Sequence, residues 1–228
     1  MVPCVWRFSA VVRWLAQWGG EAHMTILTFP TVRGGLGPAG GCTWRKLSNT
    51  QVFESPLTRS VQTLALPGAR WAFTGTWQNL TPDEAARMRA FLYSLRGRAG
   101  RFYLHNFARP TPAGTLAGTP RVAGAGQTGS ALLTDGWGAG GSVRAGDFVG
   151  LGDELRMVVA DAVENGAGVM TLTLDEPVRS SPADDLALNF VRPVCVMRLT
   201  ADDVESSFQR SVIGALESFT LNCVETWS

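Results

Sequence analysis

Charge is scarce in this chain. Asp, Glu, Lys and Arg make up 17% of its 228 residues, against roughly 25% in an ordinary soluble domain. The two signs nearly cancel at +1, so net charge gives no footprint for nucleic acid or an anionic membrane. Histidine is rarer still, with only His23 and His105. The four cysteines, Cys4, Cys42, Cys195 and Cys223, form no C-x-x-C pair. A zinc site needs closer pairs or more histidine. Four scattered cysteines read as reduced thiols of a cytosol-assembled protein, with one long-range disulfide left open. No G-x-S-x-G nucleophile motif occurs. No catalytic, metal-binding or cofactor-binding residue is assigned, and no cofactor is expected.

Glycine and tryptophan are abundant, at 26 and 8 residues. Little charge with much Gly and Trp suits short strands, tight turns and surfaces buried in an assembly. Residues 1–23 stand apart: they hold Trp6, Trp14 and Trp18 and are broken by Arg7 and Arg13. Their longest uncharged run is too short for the roughly 20 apolar residues that span a bilayer, and no clean signal peptide is formed. Met24 follows at once, and translation is expected to start there. The alternative is an N-terminal arm that docks on a partner.

Periodicity supplies the elements. Trp71, Phe73, Gly75 and Trp77 fall on one side of a strand, opposite Arg70, Ala72, Thr74 and Thr76. Pro67-Gly68 is a turn signal just before it, so residues 59–77 are read as a hairpin. Thr81-Pro82-Asp83-Glu84 is a capping box that opens a helix over 81–96. Met88, Phe91, Leu92 and Leu95 form its buried stripe, and Gly97 its left-handed stop. A strand follows at 101–107. After Pro110 comes a Pro/Gly-rich stretch, then short strands at 147–150, 155–160 and 169–174, with Asn165-Gly166 as a hairpin turn. Strand-like sequence resumes around Cys195, Met197 and Leu199, and again around Phe219, Leu221 and Cys223.

One helix among strands predicts a mainly β protein: a β-sandwich or split barrel with one packed helix. Residues 24–110 and 182–228 form that discontinuous unit, and 111–181 a small inserted β-barrel-like domain. Excision of 111–181 is expected to spare the outer unit.

The remaining motifs have bland readings. Gly124-Ala125-Gly126-Gln127-Thr128-Gly129 matches G-x-G-x-x-G, but lacks the preceding strand and following helix of a dinucleotide site, so it reads as a flexible loop. Asp83-Glu84 belongs to the helix cap. Asp153-Glu154, Asp184-Asp185 and Asp202-Asp203 are placed in turns or polar loops, as Asp favours. Asn79-Leu80-Thr81 fits a glycosylation sequon, yet Thr81 is already the cap. His105, on a strand with Tyr103 and Phe107, reads as a partly buried structural residue. Trp137, on a glycine-rich loop, either stacks on a sugar or partner or folds back on its own domain; the second reading is favoured.

Three stretches carry a family likeness. The first is Trp77-Gln78-Asn79-Leu80-Thr81 with the capped helix and Arg98-Ala99-Gly100-Arg101-Phe102-Tyr103-Leu104. The second is Ala145-Gly146-Asp147-Phe148-Val149-Gly150-Leu151-Gly152, then Leu155-Arg156-Met157-Val158 and Glu176-Pro177-Val178-Arg179. The third is Arg192-Pro193-Val194-Cys195-Val196-Met197-Arg198-Leu199 with Phe219-Thr220-Leu221. Together, over residues 24–228, they resemble the distal tail protein of long-tailed bacteriophages. The resemblance implies a hexameric ring at the virion tail tip, assembled in the host cytoplasm. Its partners would be the tail tube protein, the tail hub protein and the tape-measure protein. The inserted domain would pack at the periphery or bind a host-surface glycan. No catalytic residue, nucleic-acid site or membrane span comes with the likeness. A carbohydrate- or receptor-binding module that works alone remains the alternative, and a hydrolase with a carboxylate pair in the insertion is a third.

Overall fold

The computed structural model describes residues 25–35, 37–203, 206–211 and 214–227. The reading of residues 1–23 lies outside them. The chain is mainly β, with one α-helix among the described residues, as the periodicities predict. The strands are β1 (Leu27–Thr28), β2 (Cys42–Leu47), β3 (Thr50–Glu54), β4 (Val61–Ala65) and β5 (Arg70–Leu80). Helix α1 (Pro82–Ser94) and β6 (Phe102–His105) follow. Next come β7 (Gly118–Val122), β8 (Ala131–Trp137), β9 (Ser142–Val143), β10 (Phe148–Leu151), β11 (Glu154–Met157), β12 (Ala162–Val163) and β13 (Met170–Thr173). The chain closes with β14 (Val194–Leu199), β15 (Ser206–Ser211) and β16 (Gly214–Glu225).

The first unit is a seven-stranded sheet ordered β1-β6-β14-β16-β5-β2, with β15 added on β16. Its inner face carries Phe73, Trp77, Phe102, Leu104, Met197 and Leu221, all essentially buried. Gly75 shares their side of β5. A Cβ there would lie 2.4 Å from the Phe73 ring and 2.8 Å from Pro38, so glycine is what lets the ring and the proline close over the strand. Helix α1 covers one part of this face. Its capping box forms, with the Glu84 carboxylate accepting from the Thr81 amide at 3.1 Å and hydroxyl at 2.9 Å. Met88, Phe91, Leu92 and Leu95 are buried as the stripe requires. The helix is shorter than 81–96, and Arg96 as well as Gly97 takes the left-handed conformation after it.

The second unit closes on itself. Sheet β13-β8-β7 is bridged from Arg121 to Ala187, and Asn189 bridges onward to Gly150 of β10. Strand β10 pairs β11, and Val158 just after β11 bridges back to Leu174 just after β13. The circuit is a small barrel with β9 and β12 as an attached ribbon. Its core includes Val122, Leu132, Trp137, Val149, Leu172 and Phe190. Leu188 and Phe190 lie beyond the expected 111–181, because the chain completes the barrel wall before it leaves. Entry and exit meet at a neck, where the Arg192 amide donates to the Pro110 carbonyl at 2.6 Å.

Barrel and sheet also share a core, which the expectation of a freely excisable insertion did not include. Phe148 and Leu155 belong to the sheet's apolar cluster. The Trp71 ring sits 5.5 Å from that of Phe148, and its indole N–H donates to the Leu155 carbonyl at 3.1 Å. The small net charge conceals a partition. Between Pro110 and Arg192 lie ten Asp and Glu against four Arg and no Lys, so the flanking unit is basic. The junction uses this complementarity: Lys46 pairs with Asp175 at 2.8 Å and Glu176 at 3.0 Å, and Arg179 with the buried Glu225 at 2.7 Å.

Asp147 ties the neck to the barrel. Its buried carboxylate accepts from the amides of Ala113 (2.7 Å), Arg144 (2.8 Å) and Gly114 (3.1 Å), and from the Arg109 guanidinium at 2.7 Å. Burial alone would raise its pKa. The amides of Ala113 and Arg144, then Arg109 and Gly114, outweigh burial and hold it below the ordinary carboxylate value.

Two predictions follow from these contacts. Asp147→Ala should cost about 3–5 kcal/mol in urea unfolding, because buried donors lose their acceptor. Since the folded pKa is depressed, the wild-type contribution is complete above the unfolded value near about pH 4 and drains as pH falls through the folded one. The variant should therefore lose less stability on acidification than the wild type. In α1, Leu92→Ala should cost about 2–5 kcal/mol and Thr81→Ala about 1 kcal/mol. Equal, negligible costs would mean that the helix does not hold the sheet.

Candidate functional site: an exposed arm and open sheet edges

Between β2 and β5 the chain leaves the sheet. Strands β3 and β4 pair only with each other, from Thr50 opposite Ala65 to Glu54 opposite Val61. The base is tied by the Leu66 amide donating to the Asn49 carbonyl at 2.8 Å, and by the Asn49 side chain donating to the Pro67 carbonyl at 2.9 Å. At the tip, Ser55 donates to Ser60 and Arg59 to Ser55, both at 2.9 Å, with Arg59 left-handed at φ 58°.

Every residue of β3 and β4 is exposed. Opposed residues of an antiparallel pair share a side, so Val52 and Val61 mark one face and Phe53 and Leu64 the other. Phe53 is 54% and the tip residue Leu57 93% exposed. Each such side chain leaves about 1.5–3 kcal/mol of burial energy unrealised. An isolated two-stranded ribbon is marginal in water, and one that is apolar on both faces has the character of a contact surface. The chain protects it little: Glu54 and Arg59, 3.6 Å apart, are the only charges on it.

Open edges accompany the arm. Strand β2 pairs β5 on one side and, among the described residues, no strand on the other. Among the described residues, strand β15 pairs only β16, with Phe208 exposed. Unpaired strand edges are templates for association. The barrel closes as a circuit apart from its short β9–β12 ribbon, so the longer open edges among the described residues lie on the sheet unit.

The residues singled out in the sequence are spread across the molecule. The Gly124–Gly129 loop is pinned by Gln127, whose side chain donates to the carbonyls of Ala123 (2.7 Å) and Leu133 (3.0 Å) and accepts from the Leu133 amide at 2.6 Å. No helix follows it. Asp184 accepts from the Gly124 amide, and Asp202 binds the backbone and guanidinium of Arg98. Asp153 accepts from the Tyr103 hydroxyl at 2.9 Å, and Glu154 pairs with Arg156. His105 lies 4.5 Å from the Phe107 ring, and burial, then Arg192, lower its pKa. Trp137 is buried, donates to Thr134 at 2.8 Å and packs on Phe190. It folds back on its own domain and is not free to stack on a sugar. Cys42 is exposed and free; Cys195 and Cys223 are free and buried, with burial pushing both thiols up. No group of three or more His, Cys, Asp or Glu among the described residues is placed to hold a metal. None of their helices is long and apolar enough to cross a membrane.

No protein-family model matches the chain, and no curated protein matches it significantly.

The arm corrects the hairpin read at 59–77: β4 turns back on β3, and Pro67-Gly68 is the corner from arm to sheet. Ser55-Pro56, lying between two strand-like runs, was the signal for the true turn.

Because the arm is solvated in the monomer, Phe53→Ser and Leu57→Ser should each change monomer stability by no more than about 0.5 kcal/mol. Phe73→Ala in the sheet core should cost about 3–5 kcal/mol. Urea unfolding of dilute protein checks both, and a large loss at Leu57 would mean that the arm packs on its own chain.

Proposed function

We propose that the chain is a structural ring subunit of the distal tail protein type, at the tail tip of a long-tailed bacteriophage. The sheet unit builds the ring between tail tube and hub, and the barrel is a peripheral module. The observation that carries this reading is the apolar arm beside the open edges of β2 and β15, all on one unit, with the barrel closed. A surface exposing Val52, Phe53, Leu57, Val61 and Leu64 is poorly suited to a solitary monomer and well suited to burial between copies. The contact would be head-to-tail, since an arm and an edge are different surfaces, and such a contact forms a ring when the rotation from copy to copy closes and a filament when it does not. The three stretches that resemble the family also fall on meaningful parts of the fold: β5 with α1 and β6, the β10–β11 hairpin, and β14 with β16.

Static light scattering tests the reading. The full chain should have the mass of a closed oligomer, six copies by the family resemblance. A Phe53→Ser/Leu57→Ser double variant should be a folded monomer. A wild-type monomer at about 100 μM, a concentration at which even weak micromolar contacts saturate, would sink the ring and favour a binding module that works alone.

A further inference from the structure

The face of the seven-stranded sheet turned away from its core is solvated, with Thr43, Arg45, Arg70, Thr74 and Asn222 all exposed. Strand register sets its side chains in rows. Arg198 on β14 lies opposite Val224 on β16, Val224 opposite Ala72 on β5, and Ala72 opposite Arg45 on β2. The next row holds Asn222, Thr74 and Thr43. Beyond it the hydroxyls of Thr220 and Thr76 meet at 3.3 Å. On the other side of the arginine row Arg70 stands opposite Leu47. Opposed residues share a side, so three arginines and rows of hydroxyls surround a floor of small apolar residues. We propose that this face binds the phosphate backbone of double-stranded DNA without sequence preference.

The case rests on how the chain spends its charges. Each of the barrel's four arginines faces a carboxylate: Arg121 with Asp185, Arg144 with Asp161, Arg156 with Glu154 and Arg179 with Glu225. On the open face Arg45 has no partner among the described residues. Arg198 reaches only the Leu199 carbonyl, at 3.5 Å, and Arg70 only the Trp227 ring, at 5.8 Å. No outward position of β2, β5, β14 or β16 holds Asp or Glu. Asp153 stands at the β6 rim, bound to the Tyr103 hydroxyl, and Asp203 lies beyond the end of β14. A basic face whose own strands supply no anion is complementary to an anion from outside. The near-neutral total hides it, because the balancing acid sits on the barrel.

The arrangement narrows the ligand. Guanidinium groups grip phosphate oxygens in pairs, and threonine and asparagine side chains are common phosphate donors. Three interstrand steps of about 4.8 Å set the Cα atoms of Arg45 and Arg198 roughly 14 Å apart, so they meet separate phosphates. Single strands are held by aromatic side chains that stack on bases. Here the floor is Ala72 and Val224, and the aromatic residues of the face, Tyr103 and His105, are engaged by Asp153 and Phe107. A duplex presents phosphates with its bases inside, which suits a face that has donors and no stacking platform. The proposal does not depend on the ring, since the face lies within one chain.

Fluorescence anisotropy of a labelled 20-base-pair duplex titrated with the full chain in 50 mM NaCl tests it. The duplex should bind with a Kd below about 100 μM, and the logarithm of affinity should fall against that of salt with a slope between about −2 and −3, for two or three phosphates. Arg45→Ala/Arg198→Ala should weaken binding about tenfold or more and flatten the slope by about one to two. Arg87→Ala, which removes an exposed arginine of α1, should leave affinity within about threefold. Near-UV circular dichroism confirms that each variant is folded. The Phe53→Ser/Leu57→Ser variant, whose mass reports on the ring, should still bind and still depend on Arg45, so the two readings fail separately. The proposal is overturned if the duplex does not bind at about 100 μM chain, or if binding ignores Arg45 and Arg198. It is also overturned if a single strand of equal length binds tighter, which would mean that bases are held. Equal competition by polyglutamate would overturn it in favour of an acidic protein partner.

Discussion

The molecule depends on one buried carboxylate. Asp147 sits where the chain passes from sheet to barrel, and it gathers Arg109, Ala113, Gly114 and Arg144 around a single side chain. A buried charge is tolerated only when its lone pairs are filled, and here the fillers are backbone amides from two separate loops. The loops are held in that geometry because the carboxylate has no other source of donors. The next residue, Phe148, enters the sheet's apolar cluster. One turn of chain thereby fixes the neck, starts a barrel strand and docks the barrel on the sheet.

Docking then combines an apolar contact with opposed charge. Trp71 supplies both a ring for Phe148 and a donor for the Leu155 carbonyl, and its amide binds the Glu225 carboxylate at 2.9 Å. Glu225 in turn faces Arg179 from the barrel side. Ion pairs alone would hold the two units weakly against solvent screening. Around a shared apolar centre they instead select one orientation, because a rotated barrel would leave Glu225 buried without its cation.

Local signals were legible and non-local choices were not. Helix α1 could be read because its cap and stripe lie within one short segment, and β5 because its alternation is strict. The barrel strands showed through their own periodicity and glycine turns. The partner of β4 could not be read: β3 and β5 are both strand-like, and the choice is made by Trp71, which is drawn away from the arm by Leu155 and Glu225. Leu188 and Phe190 were assigned to the outer unit because Pro182 and Asp184-Asp185 look like a boundary. Only the barrel's need for a closing segment places them inside. The exposed arm left no trace in hydropathy, since apolar alternation reads the same whether a face is covered by its own chain or left bare.

The neck has a mechanical consequence. The chain enters and leaves the barrel at two points one hydrogen bond apart, Pro110 and Arg192. Tension applied between β1 and β16 therefore runs through the sheet, crosses from β6 to β14 by their direct pairing, and bypasses the barrel. A pull on the barrel itself is shared by two strands of the neck side by side and is resisted first by the junction around Trp71. The barrel is a side load on the sheet, free to be tugged without lengthening the path that carries strain along the rest of the molecule.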